Sequence, residues 1–223
     1  VPVKIIEGNF ELELHCPHDY SSRWVEDGVI YAGKGKPFDG HPVTSFNGVD
    51  GWLSPWDIKT LWDLAQTHVP YGGSYLEVGS YLGLSSSVVH SALRYGGNDK
   101  YLMHLVDNLS CTQMGYAVDF WNNVYRSGVH EHMCLYPHDS HKALGLMNSQ
   151  FNMIFLDGDH QYSHVLKDIE LSSERLAPGG VLCGHDYRHD HPGVVAAVGE
   201  YFSGKGIEFH VGDGSAVWYA VLG

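Results

Sequence analysis

From about Gly72 onward, short apolar runs alternate with segments of helical period. "SYLEVGS" precedes the helical "LSSSVVHSALRYG", and then come "YLMHLVDN", the amphipathic "GYAVDFWNNVYRSG", "HMCLYPHDS" and "HKALGLMN". The series continues through "FNMIFLDGD", "YSHVLKDIELSSERLAPGG", "VLCGHDY" and "VVAAVGEYFSGKG". The short runs are apolar almost throughout, as strands covered on both faces must be, and helix-length crossovers join them. That alternation predicts a doubly wound, mostly parallel sheet. The ending departs from it. "IEFHVGDGSAVWYAVL" is two strand-like runs joined by a Gly-Asp-Gly turn, so the final strand is expected to run antiparallel.

The first fifty residues follow a different pattern. "NFELELH" alternates with period two, as a half-buried strand does, and "GVIYAGKGKPFDGHPVTSFNG" reads as loop or hairpin. In "SPWDIKTLWDLAQTHV", Ser54 is a natural N-cap with Pro55 at the first helical position, and Ile58, Leu61, Trp62 and Ala65 make one stripe. There is no internal repeat and no low-complexity segment. The chain reads as one domain (51–223) behind an N-terminal extension of strand and loop (1–50).

Composition narrows the function. Hydrophobic residues are 43% and charged ones 17% of the 223, the balance of a packed globular protein. The net charge of −13, with Lys and Arg scattered, makes nucleic acid and anionic membrane surfaces poor partners. No apolar run approaches the roughly 20 residues of a membrane helix, and the start carries no signal-peptide pattern. Cys16, Cys111, Cys134 and Cys183 lack zinc-like spacing and read as free thiols of a cytoplasmic protein. Sixteen histidines leave ample material for acid–base or metal chemistry.

The stretch "YLEVGSYLGLSS" places Glu77, Gly79 and Gly83 between a strand and a helix. The three-glycine nicotinamide fingerprint is absent, which disfavours an NAD-dependent oxidoreductase. A bare backbone beside a carboxylate suits another ligand, or simply a tight turn. In "FLDGDH" and "GHDY", carboxylates end two apolar runs, and the ends of adjacent parallel strands open into one crevice.

These stretches, in order with "GWLSPWDIKTLWDLA", "LVDN", "PHDS" and "LAPGGVLCGHDY", resemble the class I S-adenosylmethionine-dependent methyltransferases. The likeness covers residues 51–223 and points to the small-molecule O-methyltransferase branch, with macrocin and catechol O-methyltransferase-like enzymes. It implies an α/β, Rossmann-like, doubly wound seven-stranded sheet, mostly parallel with an antiparallel last strand. The implied cofactor is S-adenosyl-L-methionine and the implied partner a small-molecule hydroxyl acceptor, with self-association into a homo-oligomer left open. Glu77, Gly79, Ser80, Gly83 and Ser85 would line the methionine and ribose side, and Asp107 would hold the ribose hydroxyls. Asp139 and Ser140 would meet the adenine amine, or one of them caps the following helix. Asp157 would stand beside the sulfonium. In metal-dependent relatives the positions of Asp157, His185 and Asp186 bind a divalent cation. Histidine at the second position favours a transition metal over Mg²⁺, and a metal-free site where Asp157 only orients the cofactor is the alternative. His160, three residues after Asp157, matches the position of a catalytic lysine and is the expected general base. His189 and His191 are expected in a loop, facing solvent or substrate. A cofactor-binding protein without catalysis, or one recruited to other chemistry, is the competing class.

Overall fold

In a computed structural model of the chain, residues 3–7, 10–14, 22–26, 29–33, 44–109 and 116–223 are described. The N-terminal part contributes two antiparallel hairpins, β1 (Val3–Glu7) with β2 (Phe10–Leu14), and β3 (Ser22–Glu26) with β4 (Val29–Gly33). Phe10–Leu14 of the alternating "NFELELH" is therefore a strand. A third hairpin pairs β5 (Thr44–Phe46) with β6 (Val49–Gly51) through Asn47 and Gly48, both at positive φ, as a tight Asn-Gly turn requires. Phe46 and Val49 are buried in the same core as residues of the helices and strands that follow.

Helix α1 (Pro55–His68) starts at the expected cap. Ser54 Oγ accepts the Asp57 amide at 3.2 Å, and Asp57 returns the bond from the Ser54 amide at 2.7 Å. Beyond it come β7 (Ser74–Val78), α2 (Leu84–Tyr95), β8 (Leu102–Val106), α3 (Tyr116–Arg126), β9 (Met133–Tyr136), α4 (Ser140–Leu146) and β10 (Phe151–Leu156). The chain ends with α5 (Tyr162–Ser173), β11 (Leu176–Gly184), α6 (Pro192–Lys205), β12 (His210–Val211) and β13 (Trp218–Leu222).

Among the described residues, β7 to β13 form one seven-stranded sheet in the order β12-β13-β11-β10-β7-β8-β9. Its pairings are parallel except where β13 runs antiparallel to β11 and β12. One difference lies at "LAPGG", which sits inside β11 rather than ending α5. Leu176 pairs with Phe151, but Met153 pairs with Val181, so the Pro-Gly-Gly segment bulges out of register and pairing resumes beyond it.

Strand alternation sends side chains into two cores. Tyr75, Met103 and Phe155 pack with Ile58, Leu61, Leu93 and Phe120 of α1, α2 and α3. Leu76, Ile154 and Leu182 pack with Ile169, Val198 and Phe202 of α5 and α6 on the other face. Burial at that density leaves the strands' carboxyl ends, not their faces, as the place for chemistry.

Candidate active site

The strand order reverses between β7 and β10, and a cavity of about 640 Å³ opens there beyond the carboxyl ends of the strands. Crevices of this size at this point of an open sheet hold nucleotide-sized ligands. Its wall includes Gly79, Ser80, Ser85, Asp107, Asp139, Ser140, Asp157, His160, His185 and Asp186, all expected from the sequence.

Glu77 and Gly83 lie just off the wall. Period two puts Glu77 on the same face as Tyr75, fully buried under α2. Its carboxylate accepts hydrogen bonds from Tyr75 Oη at 2.6 Å, Ser86 Oγ at 2.8 Å and Ser85 Oγ at 3.0 Å. Burial pushes its pKa up to about 7 against the lowering effect of those hydroxyls. Gly83 (φ +84) fills a left-handed N-cap facing Phe120 and Val124. Gly79 (φ +84) is at the wall, but its bareness has another cause: a Cβ there would overlap the carbonyl of Asp157. The two strand ends cross too closely for a side chain.

Asp107, just past β8, ties this turn down. Its Oδ2 accepts the amides of Ser80 at 2.9 Å and Tyr81 at 3.0 Å, and Oδ1 accepts that of Leu109 at 2.8 Å. Tyr81 holds φ +43, a strained value for an aromatic residue, and stacks on Trp52 with ring centroids 4.7 Å apart. Asp139 caps α4 by accepting the Lys142 amide at 3.2 Å, and it edges the cavity as well.

At the ends of β10 and β11 the polar groups converge. His185 is buried, with Nδ1 3.2 Å from Asp186 Oδ1 and 3.6 Å from Asp157 Oδ1. Asp186 follows with φ +59, a left-handed turn that swings its carboxylate back over the site. Its Oδ2 lies 2.8 Å from His160 Nε2, and its Oδ1 3.5 Å from His191 Nε2. His191 is thus drawn into the cluster from the start of α6. His160 is half-exposed and does not cap α5, whose N-cap position is Gln161.

Burial opposes charge on both imidazoles, yet their carboxylate partners win. His185 is held well above the ordinary histidine range by the charge of Asp157 and by hydrogen bonds with Asp157, Asp186 and Asp57. His160 is raised chiefly by its hydrogen bond to Asp186, against burial. Asp186, despite burial, is held far below the usual carboxylate range by His160 and His185.

The donor set suits a divalent cation. Asp157, His185 and Asp186 each offer a ligand atom, all within 4.8 Å of one another. The 3.2 Å separation lies at the long end of the hydrogen-bond range and the 3.6 Å one just beyond it. They match neighbouring ligands on an ion with bonds of about 2.0–2.6 Å.

Sequence reading missed Asp57. It is buried beside His185 with its Oδ2 3.1 Å from Nε2. The only sequence signal was its capping-box spacing from Ser54, which carries no hint of a distant histidine.

Fold and crevice together define a Rossmann-like α/β protein built to bind a cofactor at the strand ends. The family model described as a methyltransferase domain matches residues 76–187, and the chain belongs to that family. A protein of Acanthamoeba polyphaga mimivirus, "Uncharacterized protein R132", is 25% identical over 146 residues, 62% of this chain. The match spans 63% of that relative's length. Among solved structures, cofactor-bound Rv0187 from MTB superposes with a TM-score of 0.61 at 16% identity, covering 76% of this chain and 81% of that one. The O-methyltransferase from Bacillus cereus in complex with SAH gives 0.58 at 16% identity, covering 76% and 82%. TomG, an O-methyltransferase from Streptomyces achromogenes bound to SAM, gives 0.57 at 18% identity, covering 77% and 82%. At such identities the likeness is one of fold. No helix among the described residues is long and apolar enough to cross a membrane.

Proposed function

We propose that this chain transfers the methyl group of S-adenosylmethionine to a hydroxyl of a small molecule, with a divalent cation held by Asp157, His185 and Asp186. The observation that carries the reading is the meeting, in one cavity, of the glycine turn, the carboxylate after β8 and the Asp-His cluster after β10 and β11. Family membership supports the methyl transfer, and relatives of the same fold bound to SAM and SAH support the cofactor. A net charge of −13 supports a small acceptor over nucleic acid. Free Cys134 and Cys183 agree with a cytoplasmic setting.

Asp107 accepts the ribose hydroxyls, its position fixed by the Ser80, Tyr81 and Leu109 amides. Asp139 and Ser140 meet the adenine amine, while Gly79, Ser80 and Ser85 border the rest of the cofactor. Asp157 lies on the methyl-donor side. When bound, S-adenosylmethionine supplies an electrophilic methyl group, and the cation eases ionisation of the acceptor hydroxyl. His160 takes the acceptor's proton at Nδ1, because Nε2 is bonded to Asp186, whose charge stabilises the imidazolium that results. An unactivated alcohol is a far weaker acid than imidazolium, so proton removal accompanies methyl transfer rather than preceding it.

The test is formation of S-adenosylhomocysteine from S-adenosylmethionine against a panel of phenols, sugars and other alcohols, with and without Mg²⁺ or Mn²⁺. Binding of NAD in place of S-adenosylhomocysteine would favour the oxidoreductase. Cofactor binding with no transfer to any acceptor would favour the non-catalytic class. His160→Ala should lower turnover about 10²–10⁴-fold at near-normal cofactor affinity. A variant that keeps most of its turnover would remove His160 as the base.

A further inference from the structure

The cation reading gives Asp57, which is not among the three ligands, a task of its own, and this inference rests on that reading. Asp57 sits in the first turn of α1, buried, and its carboxylate is surrounded by donors. Oδ2 accepts the Ser54 amide at 2.7 Å, and Oδ1 accepts the Ala216 amide at 2.8 Å and the Ser215 hydroxyl at 2.7 Å. The Ser215 oxygen itself accepts the Val217 amide at 2.9 Å, so its proton is the one directed at Asp57. The carboxylate is an acceptor on every side. The ring nitrogen facing it, His185 Nε2 at 3.1 Å, can rest against it only as an N–H, in a close ion-pair contact and not an aligned hydrogen bond.

A neutral imidazole has a single N–H. With the proton on Nε2, the lone pair of Nδ1 points at Asp157 Oδ1 and Asp186 Oδ1, 3.6 and 3.2 Å away. A ligating ring is neutral, and only with its one proton on Nε2 can Nδ1 join those two carboxylates around an ion; without an ion, the ring's own charge serves that place. We propose that Asp57 is the positioning residue of the cation site, holding His185 in the Nε2–H tautomer so that Nδ1 shares an ion with Asp157 and Asp186. Partners of this kind fix both the tautomer and the orientation of a ligating ring.

Mn²⁺ titration followed by electron paramagnetic resonance tests the proposal on wild type, Asp57→Asn, Ser54→Ala and Asp157→Asn. Asp57→Asn keeps the carbonyl acceptor for Ser215 and Ala216 but turns an amide toward His185. Its affinity for Mn²⁺ should fall about 10–100-fold. Ser54→Ala loosens the same helix end without touching His185 and should bind Mn²⁺ as wild type does. Equal affinity in wild type and Asp57→Asn, with loss in Asp157→Asn, would overturn the role of Asp57 and leave the cation site standing. A wild type that binds no Mn²⁺, or binds it indifferently to Asp157→Asn, would overturn both. Should Asp57→Asn fail to fold, the tautomer can be read in the wild type. Two-bond ¹⁵N–¹H spectra of the Mg²⁺- or Zn²⁺-loaded protein, assigned against His185→Asn, should show the Nε2–H form. The Nδ1–H form would overturn the proposal.

Discussion

Asp107 has two duties that a single substitution must separate. It anchors the strained turn at Ser80 and Tyr81, and in the proposed complex it also accepts the ribose hydroxyls. Asp107→Asn retains an oxygen for the turn amides but gives up the charge, and hydrogen bonds to a charged acceptor are worth about 1.5–3 kcal/mol each. Affinity for S-adenosylhomocysteine, measured by calorimetry, should fall about tenfold or more, with only a small change in melting temperature. Unchanged affinity would leave Asp107 as a turn anchor alone. Glu77 yields a prediction of a different sort. Its folded pKa of about 7 lies above the ordinary value of 4.5, so between those values the native state keeps a proton that the unfolded state has lost. Stability should therefore fall as pH rises through this window, by at most about 1.4 kcal/mol per unit, and level off above it. Glu77→Gln has no such proton, and its melting curve should gain on wild type between about pH 5 and pH 7.5. Parallel curves would show that the carboxyl is ionised throughout. These residues mark where sequence reading reached its limit. The strand-ending carboxylates were legible because a polar residue after an apolar run must face the crevice. The reasons for Gly79 and Glu77 were not, because one depends on a neighbouring strand's carbonyl and the other on hydroxyls from α2.

The elements themselves were legible from apolar runs and caps: the Ser54 cap and Pro55 start α1, and Pro192 starts α6. Strands β1 and β3 and the bulged "LAPGG" escaped, the last because Pro and Gly signal a turn whether or not pairing resumes beyond them. How two elements meet can nonetheless set the chemistry. The first turn of α6 lies against segment 160–162 so closely that a Cβ on Gly193 would overlap the carbonyl of His160. This contact sets His191 against His160, with ring centroids 4.6 Å apart. Gly193→Ala should force the two segments apart, costing about 1–3 kcal/mol of stability. Turnover should fall more than cofactor binding, because the displaced residue is the proposed base and not the ribose side. A variant with unaltered turnover would show that the spacing of α6 is irrelevant to the reaction.

For the whole molecule, the topology was readable because helix-length crossovers leave a parallel sheet few alternatives, while the Gly-Asp-Gly hairpin identified the reversed strand. A ligand that occupies the native crevice must also stabilise the fold as a unit. S-adenosylhomocysteine at a hundred times its dissociation constant should add about 2.7 kcal/mol. For a domain of this size that raises the melting temperature by about 5–10 °C. A comparable rise with NAD, and none with S-adenosylhomocysteine, would reassign the crevice.

The grip of Ser215 and Ala216 on Asp57 joins residues 158 and 159 positions apart. Chains are made from the amino end, and a contact of such long range is paid for in entropy before it gives anything back. On the ribosome, Asp57 waits through nearly the whole of the domain's synthesis for the turn that will hold it. A nascent chain halted before Ser215 can already carry both cores' helices, but its Asp57 still lacks the two donors that hold Oδ1. On the proposed role of Asp57, the metal-binding posture is a late product of translation, acquired only when the final hairpin closes.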